Sequence, residues 1–246
     1  MGPLTGLEHS MTSLHLPQLV LPQPARVTLP VAGSESHFPV GRVFCIGRNY
    51  PWTSDDPASP KVMPSWFMKP ASAVFSAQGT LPFPPETTDF CHEVELVVGI
   101  GQGGTQISPR NADKAHVWGY AVGLDLTRRD LQQLAKKSGS PWEPAKAFDF
   151  SAPCSAMVPI GVCGPVTDNA IWLHVNGVQR QRAQVSDMLF SVPELISMLS
   201  YSVKLQPGDL IFTGTPVGVD VLQPNDVIQA GVAGIAEISM QVGEFC

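Results

Sequence analysis

An α+β fold that is mostly β is what this sequence predicts, and three observations carry the prediction. Proline occupies 24 of 246 positions. Each proline lacks an N–H and interrupts helices, which excludes an all-helical chain. Segments that read as strands outnumber those that read as helices, in an irregular order. Turn dipeptides, above all Asn176-Gly177, separate the apolar runs.

The elements follow in order. Residues 1–40 carry little charge and contain Pro17, Pro22, Pro24, Pro30 and Pro39; they form a leader or extension, with 26–29 able to act as an edge strand. A folded domain is expected over 41–246. Residues 43–46 are a short buried strand entering a turn at 47–50. Pro51, Pro57, Pro60, Pro64 and Pro70 exclude a long helix in the next segment. Residues 93–100 and 118–126 are strong strands, the second with Asp125 near its end. Residues 128–137 have helical spacing, with Leu131 and Leu134 on one face and Asp125 or Thr127 as cap. Residues 171–175 and 178–180 flank Asn176-Gly177 as a hairpin. Pro193 opens a helix over 194–203, and 209–213, 227–230 and 235–242 alternate as strands.

Composition excludes several functions. Charged residues are 15% and apolar ones 43%, so the chain is not disordered. Lys+Arg 15 against Asp+Glu 21 gives a net charge of −6, which does not suit gripping a nucleic-acid backbone. Five cysteines without a CxxC point to a reducing compartment and no zinc knuckle. The first residues lack a signal-peptide pattern, and Gly6 stands where myristoylation needs Ser or Thr. No apolar run approaches the roughly 18 residues of a membrane span. The expectation is a soluble, cytoplasmic protein with no membrane partner.

Gly99, Gly101 and Gly104 match a dinucleotide-binding fingerprint, and Asp125 follows 21 residues later. The next segment should then be an apolar-faced helix, yet it contains Pro109 and only Ile107 as a large apolar residue. A turn fits better. Glu93 and Glu95 are two apart on a strand, so they leave the same face, flanked by Leu96, Val98 and Ile100. Asp125 can meet them from a neighbouring strand. Three carboxylates without a cysteine or histidine cluster suit a hard cation, Mg²⁺ or Mn²⁺, with Ca²⁺ as a substitute. The alternative is a solvated edge strand with a scattered aspartate. Lys146, among apolar neighbours, is either a partly buried counter-charge or a snorkelling side chain. Residues 213–216 (Thr-Gly-Thr-Pro) form a tight turn that can offer an N–H and a hydroxyl to an anion, or simply turn the chain.

Taken together, Gly47-Arg-Asn-Tyr50, Phe67-Met-Lys-Pro70, His92-Glu-Val-Glu-Leu96, the 123–132 segment (GLDLTRRDLQ), Pro141-Trp142, Lys146-Ala-Phe-Asp149, Val175-Asn-Gly177 and the 207–219 segment (PGDLIFTGTPVGV) resemble the fumarylacetoacetate hydrolase family. The match runs from about Gly41 to the C-terminus, and it is closest to the fumarylpyruvate hydrolase branch. The resemblance implies a mixed β-sandwich roll with short flanking helices, a homodimer, and Mg²⁺ or Mn²⁺ held by Glu93, Glu95 and Asp125. It implies that Lys146 is catalytic and that Arg48, Arg129, Gln132, Lys146 and Thr215 bind the substrate or its oxyanion. The implied reaction is hydrolysis of the C–C bond of a 2,4-dioxo acid to pyruvate and a carboxylic acid, in the catabolism of aromatic compounds.

One departure stands out. The family's lid supplies a histidine and, three residues on, a glutamate; here Thr53 and Asp56 take those positions. Threonine is no general base near neutral pH. Three outcomes follow. Asp55 or Asp56 acts as base; or the site performs 2-oxo acid chemistry that needs no activated water, such as oxaloacetate decarboxylation or tautomerisation; or the chain binds metal without turnover. His92, the strand neighbour of Glu93, points to the opposite face.

Overall fold

Two large β-sheets face each other in the computed structural model, which describes residues 20–51 and 61–245. The larger sheet has eight strands. Across it run Ser65–Lys69, Val43–Gly47, Leu210–Phe212, Val94–Ile100, Val117–Leu124, Ala152–Cys154 and Val74–Ser76, with Val158–Pro159 also on Val117–Leu124. The sheet is mixed: Leu210–Phe212 runs parallel to Val43–Gly47 and antiparallel to Val94–Ile100. The second sheet orders Val178–Gln184, Ala170–Val175, Val227–Val232, Ala236–Phe245 and Gln78–Phe83.

The main core lies between the sheets. Leu96, Val98 and Ile100 from the larger sheet join Ile171, Leu173, Val175, Ile228, Ala230 and Met240 from the smaller. The smaller sheet shows a clean alternation, with Ile171, Leu173 and Val175 buried and their neighbours half-exposed. Its hairpin turns at Asn176 (φ 52°) and Gly177 (φ 76°), the paired positive values of a type I′ turn. Val94–Ile100 is buried on both faces, which explains its nearly continuous apolar run.

Residues ahead of 41 cover the far face of the larger sheet. Thr28–Pro30 and His37–Pro39 form an antiparallel ribbon. Leu29, Val31, Phe38 and Val40 are buried there against Val43, Cys45, Val97 and Phe212. The packed unit therefore includes residues well before 41, and a leader can reach no further than the stretch ahead of this ribbon.

Two expectations for the helix now seen at Arg129–Ser138 are corrected. Neither Asp125 nor Thr127 caps it. The Thr127 hydroxyl instead donates to Glu93 (2.9 Å) and to the Asp125 carbonyl (3.1 Å), while the Leu131 N–H bonds to the Asp130 carboxylate (2.8 Å). Leu134 is 60% exposed and so does not share a buried face with Leu131. The helix Val192–Ser202 has Pro193 in its first turn and a reciprocal Ser191–Glu194 capping box. The glycine run makes a bend, with no helix until Ala112–His116. A side chain at Gly103 would collide with the Leu205 carbonyl, so glycine serves a close backbone approach here. Among the described residues no helix is long and apolar enough to cross a membrane.

Candidate metal centre

Adjacent strand ends build the site. Val94–Ile100 and Val117–Leu124 are antiparallel, with Val94 opposite Leu124 and Glu95 opposite Gly123. Glu93 sits one residue before the first strand and Asp125 one residue after the second. The Asp125 N–H donates to the Glu93 carbonyl (2.8 Å), locking the two ends together. One carboxylate oxygen from each of Glu93, Glu95 and Asp125 lies within 4.8 Å of the others. Glu95 is 1% and Asp125 2% exposed, which disposes of a solvated edge strand.

The 213–216 turn supplies a wall of the site. The Gly214 N–H donates to Glu95 Oε2 (2.7 Å), so the turn holds a carboxylate of the protein itself. Gly214 has φ 101°, and a Cβ there would sit 2.8 Å from the Asn49 Cβ. Buried Asn49 ties this turn to its surroundings. Its amide donates to the carbonyls of Phe190 (3.0 Å) and Thr213 (2.8 Å), and its oxygen accepts from the Phe190 N–H (2.8 Å).

Two buried lysines face the acids. Lys146, the last residue of Glu143–Lys146, brings Nζ to 3.0 Å from Glu93 Oε2 and 2.8 Å from Asp125 Oδ2. It is a buried counter-charge, not a snorkelling side chain. Lys69, which no sequence signal beyond its motif singled out, puts Nζ 3.0 Å from Asp125 Oδ1. It also donates to the carbonyls of Leu126 (3.2 Å) and Lys146. Lys69 is not aligned on Asp125 Oδ1 for a hydrogen bond, so that buried oxygen keeps an acceptor site without an aligned donor among the described residues.

Electrostatics make this arrangement unequal. Burial pushes the Glu95 carboxyl well up, and the charges of Asp125 and Glu93 push it further. Burial also raises Glu93, against the pull of Lys146. Burial opposes ionisation of Asp125 too, but Lys146 and Lys69 override it and hold that carboxyl below its ordinary range. Burial likewise works against the charge on Lys146, yet Asp125 and Glu93 outweigh it and raise its pKa. In the metal-free centre the two acids therefore favour the ammonium form of Lys146. Oxygen-only donors, crowded acids and an acceptor without an aligned donor fit a hard divalent cation.

The other residues singled out from the sequence are less uniform. Arg48 is exposed at φ 64°, a backbone conformation unusual for a side-chain-bearing residue. Burial lowers the Lys136 pKa, and repulsion from Lys146 and Arg48 lowers it further against the attraction of Glu93. Its Nζ donates to Gln132 Oε1 (3.1 Å) and lies 5.2 Å from the Trp142 ring centre. Arg129 pairs with Asp89 (3.1 Å). The Thr215 hydroxyl donates to the Val94 carbonyl (2.8 Å) and accepts from the Gln181 amide (2.8 Å), bracing the site. His92 is buried and pairs with Gln181 (3.0 Å). Burial, its largest influence, lowers its pKa. Thr53, Asp55 and Asp56 lie outside the described residues.

The family model described as fumarylacetoacetate (FAA) hydrolase C-terminal matches residues 42–243. A fumarylpyruvate hydrolase of Ralstonia sp. is 43% identical over 181 residues, 72% of this chain and 92% of the relative. A mitochondrial oxaloacetate tautomerase of Mus musculus is 40% identical over 201 residues, 81% of this chain and 90% of the relative. The crystal structure of fumarylpyruvate hydrolase from Pseudomonas aeruginosa in complex with Mn²⁺ and pyruvate superposes with a TM-score of 0.87 at 41% identity, covering 92% of this chain and 99% of the other.

Proposed function

The chain belongs to the fumarylacetoacetate hydrolase family, and on that premise we propose that it hydrolyses the C–C bond of a 2,4-dioxo acid, an acylpyruvate such as fumarylpyruvate. The products are pyruvate and a carboxylic acid. The observation that carries this reading is the buried trio of Glu93, Glu95 and Asp125 with Lys146 bonded to two of its members.

Glu93, Glu95 and Asp125 would hold a divalent cation, Mg²⁺ or Mn²⁺ with Ca²⁺ as a substitute, which would supply Lewis-acid polarisation to a bound 2-oxo acid. Cleavage adds water to the acyl carbonyl carbon and breaks its bond to the methylene. The electron pair stays on the methylene carbon, so pyruvate leaves as its enolate and then takes up a proton. Lys146 contributes a fixed positive charge and N–H donors to the enolate oxygen, since its acidic neighbours keep it protonated. Arg48 and Lys136, whose charges repel one another, offer cationic groups to substrate carboxylates, and Gln132, Arg129 and Thr215 complete the proposed substrate-binding set. Asp56, from the segment after the Arg48 turn, is the proposed water-activating base in place of Thr53. The proposal extends to a cytoplasmic homodimer working in aromatic-compound catabolism.

Thr53 favours a second reading. With no base at that position, the same centre serves tautomerisation or decarboxylation of oxaloacetate, in line with the activity named for the mouse relative. An ultraviolet assay of fumarylpyruvate, acetylpyruvate and oxaloacetate, each with Mg²⁺ or Mn²⁺, decides between the two. Pyruvate release that disappears in Glu95→Gln supports the hydrolase. Loss of oxaloacetate enol absorbance without pyruvate release from either acylpyruvate overturns it in favour of the second reading.

A further inference from the structure

We infer that Lys69 is a positioning residue that sets the charge of the metal centre, making the loaded centre attractive to an anion at the expense of cation affinity. This rests on the metal-site reading given above. The Lys69 side chain is 0% exposed. Burying an ammonium is costly unless acceptors surround it, and here Asp125 Oδ1, the Leu126 carbonyl and the Lys146 carbonyl do so. The Phe148 ring centre lies 5.5 Å away on another side. Lys69 and Lys146 take opposite oxygens of the same carboxylate, Oδ1 and Oδ2.

Formal charge turns this placement into a consequence. With all three carboxylates ionised, as holding a cation requires, three carboxylates against two ammoniums leave one negative charge. A divalent cation makes the centre one positive, the sign that draws the carboxylate of a 2-oxo acid. Without Lys69 the empty centre would hold two negative charges and the loaded one none. Cation affinity should then rise while anion affinity falls. A lysine that merely kept Asp125 in place would give a different result, because its loss would weaken both.

The test titrates Mn²⁺ into the full chain by calorimetry and then titrates oxalate, a stable mimic of the pyruvate enolate, into the Mn²⁺-saturated protein. Lys69→Gln keeps a hydrogen-bond donor and removes the charge; Lys69→Met removes both. For Lys69→Gln we expect oxalate affinity to drop about tenfold or more and Mn²⁺ affinity to rise about threefold. A parallel fall in both affinities, or an unchanged oxalate affinity, overturns the assignment. If circular dichroism finds both variants unfolded, Lys69 is a folding determinant and the assignment is also overturned. A wild-type protein that takes up no Mn²⁺ overturns the functional reading and this inference together, whereas normal wild-type titrations matched by Lys69→Gln overturn this inference alone.

Discussion

The smaller sheet buries Ile171, Leu173, Val175, Ile228, Ala230, Ile238 and Met240, whereas the larger one, together with the short helix Glu143–Lys146, buries Glu95, Asp125, Lys69 and Lys146 among its apolar residues. The first set is held by apolar contacts, each contributing on its own account. The second is held by mutual compensation. Each lysine is tolerable because of an acid, and each acid because of a lysine or a cation. Losing one member of such a set costs more than its own contacts, because it leaves buried charges uncompensated.

The sharpest way to break the comparison is Lys146→Met. Steady-state assays with Mn²⁺ should lose about 10³-fold or more in kcat, roughly 4 kcal/mol of transition-state stabilisation. The metal-free variant should also unfold about 3 kcal/mol more easily, since Glu93 and Asp125 lose a partner. Saturating Mn²⁺ should restore part of that stability but none of the rate. Thermal melts with and without Mn²⁺ check this, and equal melts for variant and wild type would refute it.

Leu173→Ala probes the other sheet. Deleting this fully buried side chain should cost about 2–5 kcal/mol in urea unfolding. The folded fraction should bind Mn²⁺ nearly as the wild type does, because the truncation leaves in place the bonds from its strand partner Gln181 to Val94 and Thr215. Asn49→Ala falls between the two. It removes three hydrogen bonds that join the Arg48 turn to Phe190 and Thr213 and should cost about 1–3 kcal/mol. Unlike Leu173→Ala, it should also weaken Mn²⁺ binding, since the neighbouring Gly214 N–H holds Glu95.

The same division decides what could be read from the sequence. The smaller sheet announces itself through alternation at Ile171, Leu173 and Val175 and through Asn176-Gly177, because one apolar face and one tight turn are local properties. Glu93 and Glu95 were legible as a pair for the same reason, their spacing matching the strand period. Lys69 was not. Its acceptors at Leu126 and Lys146 lie 57 and 77 residues away, so nothing local marks it. The 28–40 ribbon was hidden by its brevity, three residues per strand, and by prolines that resemble those of a linker. The helix cap was misread because Thr127 and Asp125, good caps by type, are spent on the acidic centre.

The smallest predicted effect is also the one with a pH signature. Glu194 accepts from the Ser191 N–H (2.8 Å) and hydroxyl (2.7 Å), and its other oxygen pairs with Lys61 (2.7 Å). Burial works against its charge, but Lys61 and Ser191 outweigh that and hold its carboxyl below the ordinary glutamate range. A carboxyl lowered in the folded state adds stability wherever it is ionised, so the gain is complete above about pH 4.3 and fades as pH falls through the folded value. The Glu194 side chain is 40% exposed, and solvent screening keeps the gain to about 0.5 kcal/mol for Glu194→Gln at neutral pH. Urea unfolding from neutral to acidic pH should show the two proteins converging in acid. The Leu173→Ala deficit, which involves no titrating group, should persist as pH falls. A Glu194→Gln deficit that stayed constant into acid would mean that the cap works through shape and hydrogen bonding alone, with no contribution from charge.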